Sequence, residues 1–388
     1  MRRSFLGSLA LLVAVPTLLA AQSSQFAVRG LGYPGSGYSA RARAMGGAVS
    51  LFDPESAVNP AAIGALNEMT ASFGLLNDRR TVSGPGGQGS VHGMRFPLFS
   101  IAGPVRQLPL SFGVSATTFM SRDFGLSFND TALVRGVPVP VQDTLHADGG
   151  LNDLRGTVVW RVDGRTTIGG AIHAYTGVTR IARASVFEDT GYVKVTESSE
   201  VSAAGSGFDL GIIKRLAPHV TVAAVLRSDG AVTVRRDSIA SSEYKVDLPV
   251  SAAVGVQVRT TPRLLLAAQG RWAGWSAANA GLSGAGGTGA VDTWELGAGG
   301  ELIRDLERPY RLPLRFGLRH AKLPFPLVAG HDPSETVASL GTGFLFAKGQ
   351  GGADLTLERA WRGDGDQYQE HAWMLSLTAT LRPNRRVR

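Results

Sequence analysis

Two short stretches contain residue types that could bind a nucleotide or attack a carbonyl group. GLGYPG places Gly30, Gly32 and Gly35 at the spacing of a dinucleotide-binding loop. That loop must follow a strand and open a helix, whereas this stretch follows an apolar leader and contains Pro34. GLSGA, from Gly281, falls one residue short of the serine-nucleophile motif and has no strand–turn–helix context. Neither stretch predicts a catalytic or cofactor site.

Metal and acid–base chemistry are equally poorly supported. Asp364 and Asp366 stand two apart, as in a calcium loop, but the central Gly and distal Glu of that motif are missing. A solvated loop is therefore favoured over a surface divalent ion. The chain has no cysteine, and its seven histidines are scattered without a zinc-binding spacing. We predict a protein that is not an enzyme and uses no metal or cofactor.

Charged residues with spacings of four or six are the more informative polar feature. The positions with this pattern are Arg155, Arg161, Arg311, Arg315, Arg319, Glu295, Glu301, Asp354 and Glu358. In extended strands such spacing places the side chains on one face. Charges of both signs pair when they are withdrawn from water. The pattern favours a salt-bridged polar interior over a ladder that selects ions.

The elements that position these charges are strands with two different faces. YKVDLPVSAAVGVQVR, 244–259, is apolar at every even position, and it is about three times as long as a usual strand in a soluble domain. Pro249 cannot donate a ladder hydrogen bond and predicts a bulge. About fourteen such segments are predicted, at 69–76, 92–102, 108–119, 151–162, 166–188, 191–215, 220–235, 242–259, 264–276, 290–303, 310–321, 335–347, 352–361 and 369–381.

The connections between the segments alternate in length. Those at 162–165, 216–219, 260–263 and 348–352 are short, whereas those at 121–150 and 276–290 are long and rich in glycine. An even number of strands with short turns at one end and long loops at the other is typical of outer-membrane barrels. Lipid would cover the apolar faces, and closure would leave no unpaired edge. We predict an all-β fold, a transmembrane antiparallel β-barrel of about fourteen strands.

Tryptophan positions provide a second indication of a bilayer. Trp272, Trp294, Trp361 and Trp373 fall near the predicted outer strand ends and Trp160 near an inner end, as interfacial aromatic belts require. Trp275 is off this parity, and no role is predicted for it.

The termini have their own compositions. Arg2 and Arg3 precede an apolar run, 5–20, which predicts a signal peptide with cleavage after Ala21; an uncleaved anchor is the alternative. Formal net charge is +8 without a concentrated basic stripe, which disfavours nucleic acid as a partner. The predicted organisation is a signal peptide at 1–21, an N-terminal segment at 22–68, a barrel at 69–381 and a basic periplasmic tail at 382–388.

Residues 22–68 lack the strand alternation and carry three short motifs. Gly46, Gly47 and Ala48 are followed by an acidic piece with Asp53 and Glu55, and then by Asn59, Pro60 and Ala61. This order resembles the N-terminal hatch of the FadL family of outer-membrane proteins. LPLRFGLRHAKLPF, 312–325, is similar to a late strand and loop in relatives of that family.

The resemblance implies a fourteen-stranded barrel with its N-terminal hatch inside. It further implies passive transport of hydrophobic, fatty-acid-like molecules across the outer membrane of a Gram-negative-type bacterium, with membrane lipid and the ligand as partners. The hatch residues are expected to fold the plug, and contact with substrate is the alternative. The acyl-binding residues of the family cannot be matched here, and LRPNRRVR replaces the usual terminal aromatic residue.

A second function remains open. Relatives that resemble PorV-type secretion proteins have the same hatch motif and would use the barrel as a docking post for exported proteins. The partner would then bind at the extracellular loops.

Overall fold

The computed structural model describes residues 24–85, 87–187, 189, 191–237, 242–284, 289–309 and 311–383. The predicted signal peptide and all but the first two residues of the predicted basic tail lie outside these ranges. Among the described residues, no helix is long and apolar enough to cross a bilayer.

Most described residues belong to a single antiparallel sheet. The strands are β1 (Tyr33–Pro34), β2 (Thr70–Gly84), β3 (Gly87–Pro104), β4 (Leu110–Ser121), β5 (Phe124–Val134), β6 (Val137–Arg161), β7 (Thr166–Phe187), β8 (Val195–Ala217), β9 (Val220–Asp229), β10 (Ala231–Asp237), β11 (Ser242–Asp247), β12 (Val250–Arg259), β13 (Leu264–Ala273), β14 (Thr293–Leu302), β15 (Leu314–Lys322), β16 (Ser334–Phe346), β17 (Gly351–Asp364) and β18 (Tyr368–Leu381). The helices are α1 (Ala40–Ala44) and α2 (Asn279–Gly284), with 3-10 turns at Gln25–Ala27, Pro60–Ala65, Trp275–Ala278 and Ala347–Gly349.

The sheet closes into a cylinder. β18 pairs with β2, with Leu381 opposite Ala71, and the closed wall has 14 strands, namely β2, β3, β4, β6, β7, β8, β9 and β12 to β18. Strands β5, β10 and β11 extend the wall at one end, and β1 pairs with β4. Since each of these wall strands has two neighbours, closure removes the sheet edges. The predicted transmembrane barrel is confirmed.

The two faces of the wall differ in chemistry. On β12, Val250 and Val254 are 46% and 63% exposed, whereas Ala253 on the other face is buried. The same outward pattern continues around the wall, for example at Ile172 and Leu318. A continuous belt of exposed aliphatic and aromatic side chains is far larger than the apolar patches of soluble proteins and suits a bilayer.

The segment 244–259 is two strands, and the prediction of one lipid-covered face is wrong for its first half. β11 ends at Asp247 and β12 begins at Val250, so the ladder is interrupted around Pro249. Val246 and Leu248 are buried in an apolar cluster at the end of the barrel. The break redirects the chain, and lipid covers its apolar face only from Val250 onward.

The region 121–150 was predicted as a long loop and is instead a hairpin. β5 and the first half of β6 pair from Phe124 opposite Ala147 to Val134 opposite Val137. Arg135 and Gly136 form the turn, both with positive φ, as two-residue hairpins require. The other predicted loop, 276–290, contains the end of a 3-10 turn and α2.

The barrel has two distinct ends. The turn end contains the connections 105–109, 162–165, 218–219, 260–263, 303–313 and 347–350. The loop end contains the extended hairpins and the connections 274–292 and 323–333. All turn-end connections are short except 303–313, as predicted for the periplasmic side of an outer-membrane barrel.

The tryptophans follow this division. Trp160, Trp272, Trp294, Trp361 and Trp373 are all exposed on the outer face of the wall. Trp275 departs from the parity because it lies in a 3-10 turn after the end of β13. Its ring is buried in the loop-end apolar cluster.

The N-terminal segment contacts strands from opposite sides of the cylinder. α1 packs against β15 to β18, and the 3-10 turn Pro60–Ala65 packs against β3, β4, β6, β7 and β8. These contacts are on the polar, inward faces of the strands. They are the contacts expected of a segment inside the barrel.

Candidate functional site

The first hatch motif fits the wall only because both sides of the contact are glycine. Gly46 and Gly47 have φ of +62° and +79°, and a Cβ on Gly46 would lie 2.4 Å from the Leu318 carbonyl oxygen. On the wall, a Cβ on Gly317 would lie 2.2 Å from the Gly46 nitrogen. Ala48 is completely buried. Glycine here permits backbone-to-backbone packing that any side chain would prevent.

The second hatch motif is a capped turn. The Asn59 Oδ1 atom accepts a hydrogen bond from the Ala61 amide at 3.0 Å, and its Nδ2 atom donates to the Leu51 carbonyl at 2.9 Å. Pro60 occupies the first position of the following 3-10 turn, where its missing amide hydrogen has no cost. Asn59 therefore fixes the direction of the chain by local hydrogen bonds.

The acidic piece between the motifs contains two buried carboxyl groups with different partners. Asp53 Oδ2 accepts from the hydroxyls of Ser39 at 2.6 Å and Ser56 at 2.7 Å. Glu55 lies 3.1 Å from the Arg382 guanidinium, just after the last strand. Burial, with the negative charge of Asp53 as a second cause, raises the pKa of Glu55 to about 7.

Six predicted interior charges belong to two larger assemblies. The first, which we name the charge chain, alternates in sign across β14 to β18, β2 and β3. In order, it contains Glu295, Arg319, Glu335, Arg362, Glu370, Arg80, Asp78 and Arg95. Arg319 lies 3.1 Å from Glu295 and Arg80 lies 3.1 Å from Glu370. Because each inner member contacts two opposite charges, burial leaves no net charge along the chain.

Two tyrosines of the N-terminal segment are hydrogen-bonded to this chain. The Tyr33 hydroxyl donates to Glu335 at 2.5 Å, and the Tyr38 hydroxyl donates to Glu295. The Arg362 guanidinium carbon also lies over the Tyr33 ring, 4.7 Å from the ring centroid. This is a cation–π contact.

The second assembly joins α1 to the wall. Arg315 lies 2.7 Å from Glu301 and 2.5 Å from Asp354. Arg41 contacts the other oxygen of Glu301 at 2.9 Å. Arg43 likewise reaches Glu358 at 2.9 Å.

Arg155 belongs to a separate cluster on β6 to β9. It pairs with Asp209, and His173 lies between Asp209 and Asp153, at 3.1 and 2.8 Å. Arg227 contacts Asp153 at 2.9 Å. This cluster extends the paired interior to the strands that the charge chain does not reach.

Two predicted interior charges lie elsewhere. Arg311 is exposed in the connection 303–313, because β15 begins only at Leu314. Its placement on a strand face was wrong. Arg161 is the last residue of β6, half-buried, and one of its guanidinium nitrogens lies 3.5 Å from the Leu108 carbonyl oxygen. Within the described residues it pairs with no carboxylate.

Sequence reasoning missed most members of these assemblies. Glu335, Arg362 and Glu370 occupy adjacent strands in direct register, a signal available only once the strands are aligned. Arg41 and Arg43 lie in GYSARARAM, where their spacing resembles a strand and their helical role could not be recognised.

A cavity of about 220 Å³ lies beside the N-terminal segment. Its apolar lining includes Phe119, Met120 and Trp275. Its charged lining includes Arg319 and Arg362 of the charge chain, and Arg227, which lies over the Phe119 ring. The cavity is thus bounded by both apolar groups and paired charges.

Met120 and Trp275 belong to a loop-end cluster of buried residues. Its members are Met120, Leu151, Tyr175, Val201, Val232, Val234, Val246, Leu248, Ala273, Trp275, Ala278, Leu282, Ala290 and Phe325. The ring of Trp275 meets that of Phe325 edge-on, with centroids 5.3 Å apart. The cluster is assembled from connections as well as strand ends. Asp364 supports it by accepting hydrogen bonds from the amides of Leu327 and Val328, at 2.5 and 2.9 Å.

A second cavity, of about 940 Å³, opens at the turn end below the N-terminal segment. Its lining mixes Phe52, Leu66 and Ile303 with paired charges such as Glu301 and Arg315. The segment therefore separates two internal spaces.

A closed fourteen-stranded wall with a lipid-compatible outer face and a charged, filled interior defines an outer-membrane-type β-barrel. Its fold matches that of the FadL family. The chain is similar to a FadL homologue of Pseudomonas aeruginosa, at 14% sequence identity and a TM-score of 0.65, covering 92% of this chain and 100% of that one.

Two further solved structures share the fold. For the toluene transporter TbuX of Ralstonia pickettii, the identity is 15% and the TM-score 0.57, covering 89% of this chain and 98% of that one. For the toluene transporter TodX of P. putida, the identity is 14% and the TM-score 0.59, covering 90% and 100%. No family model and no curated protein matches the sequence.

Proposed function

We propose that this barrel is a passive route for small hydrophobic molecules across the outer membrane, with residues 24–68 as its hatch. The observation that carries the proposal is the cavity of about 220 Å³ between the loop-end cluster and the N-terminal segment. Burial of apolar ligand surface against Phe119, Met120 and Trp275 would supply the affinity. No chemical step is required.

The size of the cavity favours a compact ligand. An apolar cavity of about 150 Å³ holds one benzene ring, so the volume here suits a single aromatic ring or a short chain. Two proteins of the same fold are toluene transporters, which supports this class. A long fatty-acid-like chain would need the cavity to enlarge.

A ligand can leave the cavity toward the turn end only if part of the protein moves, because the charge chain and the N-terminal segment line the cavity. Two places in the wall are irregular. Near the cavity, the register of β4 against β6 shifts between Thr118 and Met120. In the next strand pair, the pairing of β6 with β7 is interrupted between Gly149 and Asn152. We propose that displacement of the hatch, or opening at this irregular wall, releases the ligand.

The test is uptake by Gram-negative cells that lack other barrels of this fold. Cells that express this protein should take up labelled toluene faster than cells without it, with no gain for a polar solute of equal size. Thr117→Phe, which fills the cavity from its lining, should abolish the gain, and Thr117→Val should preserve it. Equal uptake by the Phe and Val variants, with both barrels folded, would contradict the proposal.

The docking alternative has one supporting observation. Two long hairpins at the loop end carry exposed apolar residues near their tips, including Leu133 and Val193 at 76% and 84% exposure. Co-purification of an exported protein that is lost on Leu133→Asp and Val193→Asp substitution, without loss of toluene uptake, would favour docking.

A further inference from the structure

The turn end carries exposed positive charge with few exposed acids beside it. Each of its six connections has an exposed Arg or Lys in it or beside it. These residues, which we name the turn-end cations, are Arg106, Arg165, Lys214, Arg263, Arg304 and Lys348. They ring the barrel at the level where the wall strands end.

None of the turn-end cations pairs with a carboxylate in the described part of the chain. The nearby acids Asp163 and Asp305 instead accept hydrogen bonds from backbone amides of their own turns, Asp163 from Thr166 at 2.6 Å and Asp305 from Glu307 at 2.9 Å. Glu307 is the remaining exposed acid of these connections. The ring is therefore left with positive charge in excess.

At the loop end, the cations share the surface with many exposed acids, namely Asp130, Asp189, Glu197, Glu200, Asp237, Glu243, Asp247, Asp332 and Asp366. Arg180 pairs with Glu200 at 3.3 Å, and Arg235 pairs with Glu243 at 2.8 Å. Lys322 pairs with Asp332 at 2.8 Å. The excess at the turn end is thus a local property and does not follow simply from the net charge of the protein.

The turn-end cations are interleaved with exposed apolar side chains. Leu108 and Leu306 follow Arg106 and Arg304 by two residues and are 50% and 49% exposed. On the outer face of β8, Lys214 is followed on the same face by Leu216, which is 57% exposed. Exposed cations interleaved with exposed leucines at the strand ends fit the boundary between acyl chains and headgroups. A soluble acidic partner would not require these leucines.

We propose that the turn-end cations bind anionic phospholipid headgroups of the leaflet that faces the periplasm. The short turns of outer-membrane barrels face that compartment, and a ring of cations at the strand ends would meet lipid phosphates there. The binding also fixes which end of the barrel faces which leaflet. This inference rests on the membrane-spanning fold and is independent of any transported ligand.

The experiment compares lipids retained by the purified full-length barrel. The protein in non-ionic detergent is incubated with equal phosphatidylglycerol and phosphatidylethanolamine, and bound lipid is measured by native mass spectrometry. Wild type should retain phosphatidylglycerol preferentially, and salt should weaken the preference. The variant Arg106→Gln, Lys214→Gln and Arg304→Gln should lower phosphatidylglycerol affinity by about tenfold.

The matched control removes the same charge at the loop end, with Lys194→Gln, Arg236→Gln and Lys245→Gln, three exposed residues. It should bind like wild type. Equal loss in both variants, or equal retention of the two lipids by wild type, would overturn the proposal.

A second variant distinguishes lipid from a soluble polyanion. Leu108→Ser, Leu216→Ser and Leu306→Ser keep every cation and should still weaken phosphatidylglycerol retention. If this variant retains the lipid fully while polyaspartate displaces it from wild type, the ring is an acidic-protein surface and the lipid proposal fails. All variants should first show the heat-dependent electrophoretic mobility of a folded barrel.

Discussion

The charge chain and the loop-end cluster fill neighbouring parts of one lumen by opposite means. The chain buries eight alternating charges, each inner one held by two partners. The cluster buries aliphatic and aromatic groups gathered from strand ends and connections. Loss of one charge leaves its partners unpaired in low dielectric, whereas loss of one apolar group leaves a space that neighbours can partly fill. We therefore expect the charge chain to tolerate substitution less well than the loop-end cluster.

The largest expected effect is in the middle of the charge chain. Arg362→Met leaves Glu335 and Glu370 without one of their cations, and should lower the free energy of unfolding by about 3–5 kcal/mol. Denaturant unfolding in detergent, followed by tryptophan fluorescence, measures it. The exposed ion pair of Arg235 and Glu243 provides the control. Arg235→Met should lower the free energy of unfolding by less than about 1 kcal/mol.

The loss of stability in Arg362→Met should come from the lost ion pairs and not from the smaller side chain. When Glu335→Gln and Glu370→Gln are added to Arg362→Met, much of the stability should return, because the unpaired charges are gone. A triple variant less stable than Arg362→Met would contradict the comparison.

The next effect concerns the loop-end cluster. Phe325→Ala should lower the free energy of unfolding by about 3 kcal/mol, because it leaves a cavity against Trp275. The new space adjoins the proposed ligand site, so toluene should restore stability in this variant more than in wild type. Phe325→Leu is the matched control and should cost about 1 kcal/mol. Calorimetry with and without toluene tests both statements, and no ligand effect would indicate a site elsewhere.

A smaller effect is expected at the contact between the N-terminal segment and the wall. Gly46→Ala combines positive φ with a Cβ 2.4 Å from a carbonyl oxygen, and should cost about 2 kcal/mol. Limited proteolysis should then cleave the N-terminal segment faster. Gly87→Ala is the control. Gly87 has a φ of +115°, but no atom lies within 4 Å of the new Cβ, so this variant tests backbone strain without a steric clash. Equal cleavage of the segment in both variants would mean that the contact does not hold it.

The last expected effect is the pH dependence at Glu55. Because burial raises its folded-state pKa from 4.5 to about 7, the folded protein favours the protonated form. Its contribution to stability is full below about pH 4.5 and is lost as pH rises through about 7. Protease sensitivity of the N-terminal segment should therefore increase between pH 5 and 8, and Glu55→Gln should flatten that profile. Arg382→Gln should steepen it, and an unchanged profile in both would exclude this carboxyl group.

The sequence predicts the wall well because alternation is a local signal. Fourteen segments could be placed, and faces such as that of Val250 and Val254 follow from period two alone. The break at Pro249 limited this reasoning, since Val246 keeps the alternation but faces another cluster. The hairpin at 124–147 also alternates, yet its Gly, Pro and Asp content obscured the pattern.

The interior was harder to predict because its contacts join distant strands. Arg315 and Arg319 could be assigned to the polar face, but their partners depend on register and on α1. Arg311 keeps the same spacing and lies in a connection, because periodicity does not mark where a strand begins. The sequence shows that Trp275 does not fit the alternation of the other tryptophans. Its burial in the loop-end cluster depends on how the connection after β13 folds.

The seam between the first and last wall strands has a consequence for biogenesis. Glu370 on β18 holds Arg80 on β2 at 3.1 Å and the Ser24 hydroxyl at 2.8 Å. One carboxylate thus joins the closing strand pair to the N-terminal segment. If the barrel closed before the N-terminal segment entered it, Glu370 would lack its Ser24 partner. We therefore expect this segment to be enclosed while β18 pairs with β2.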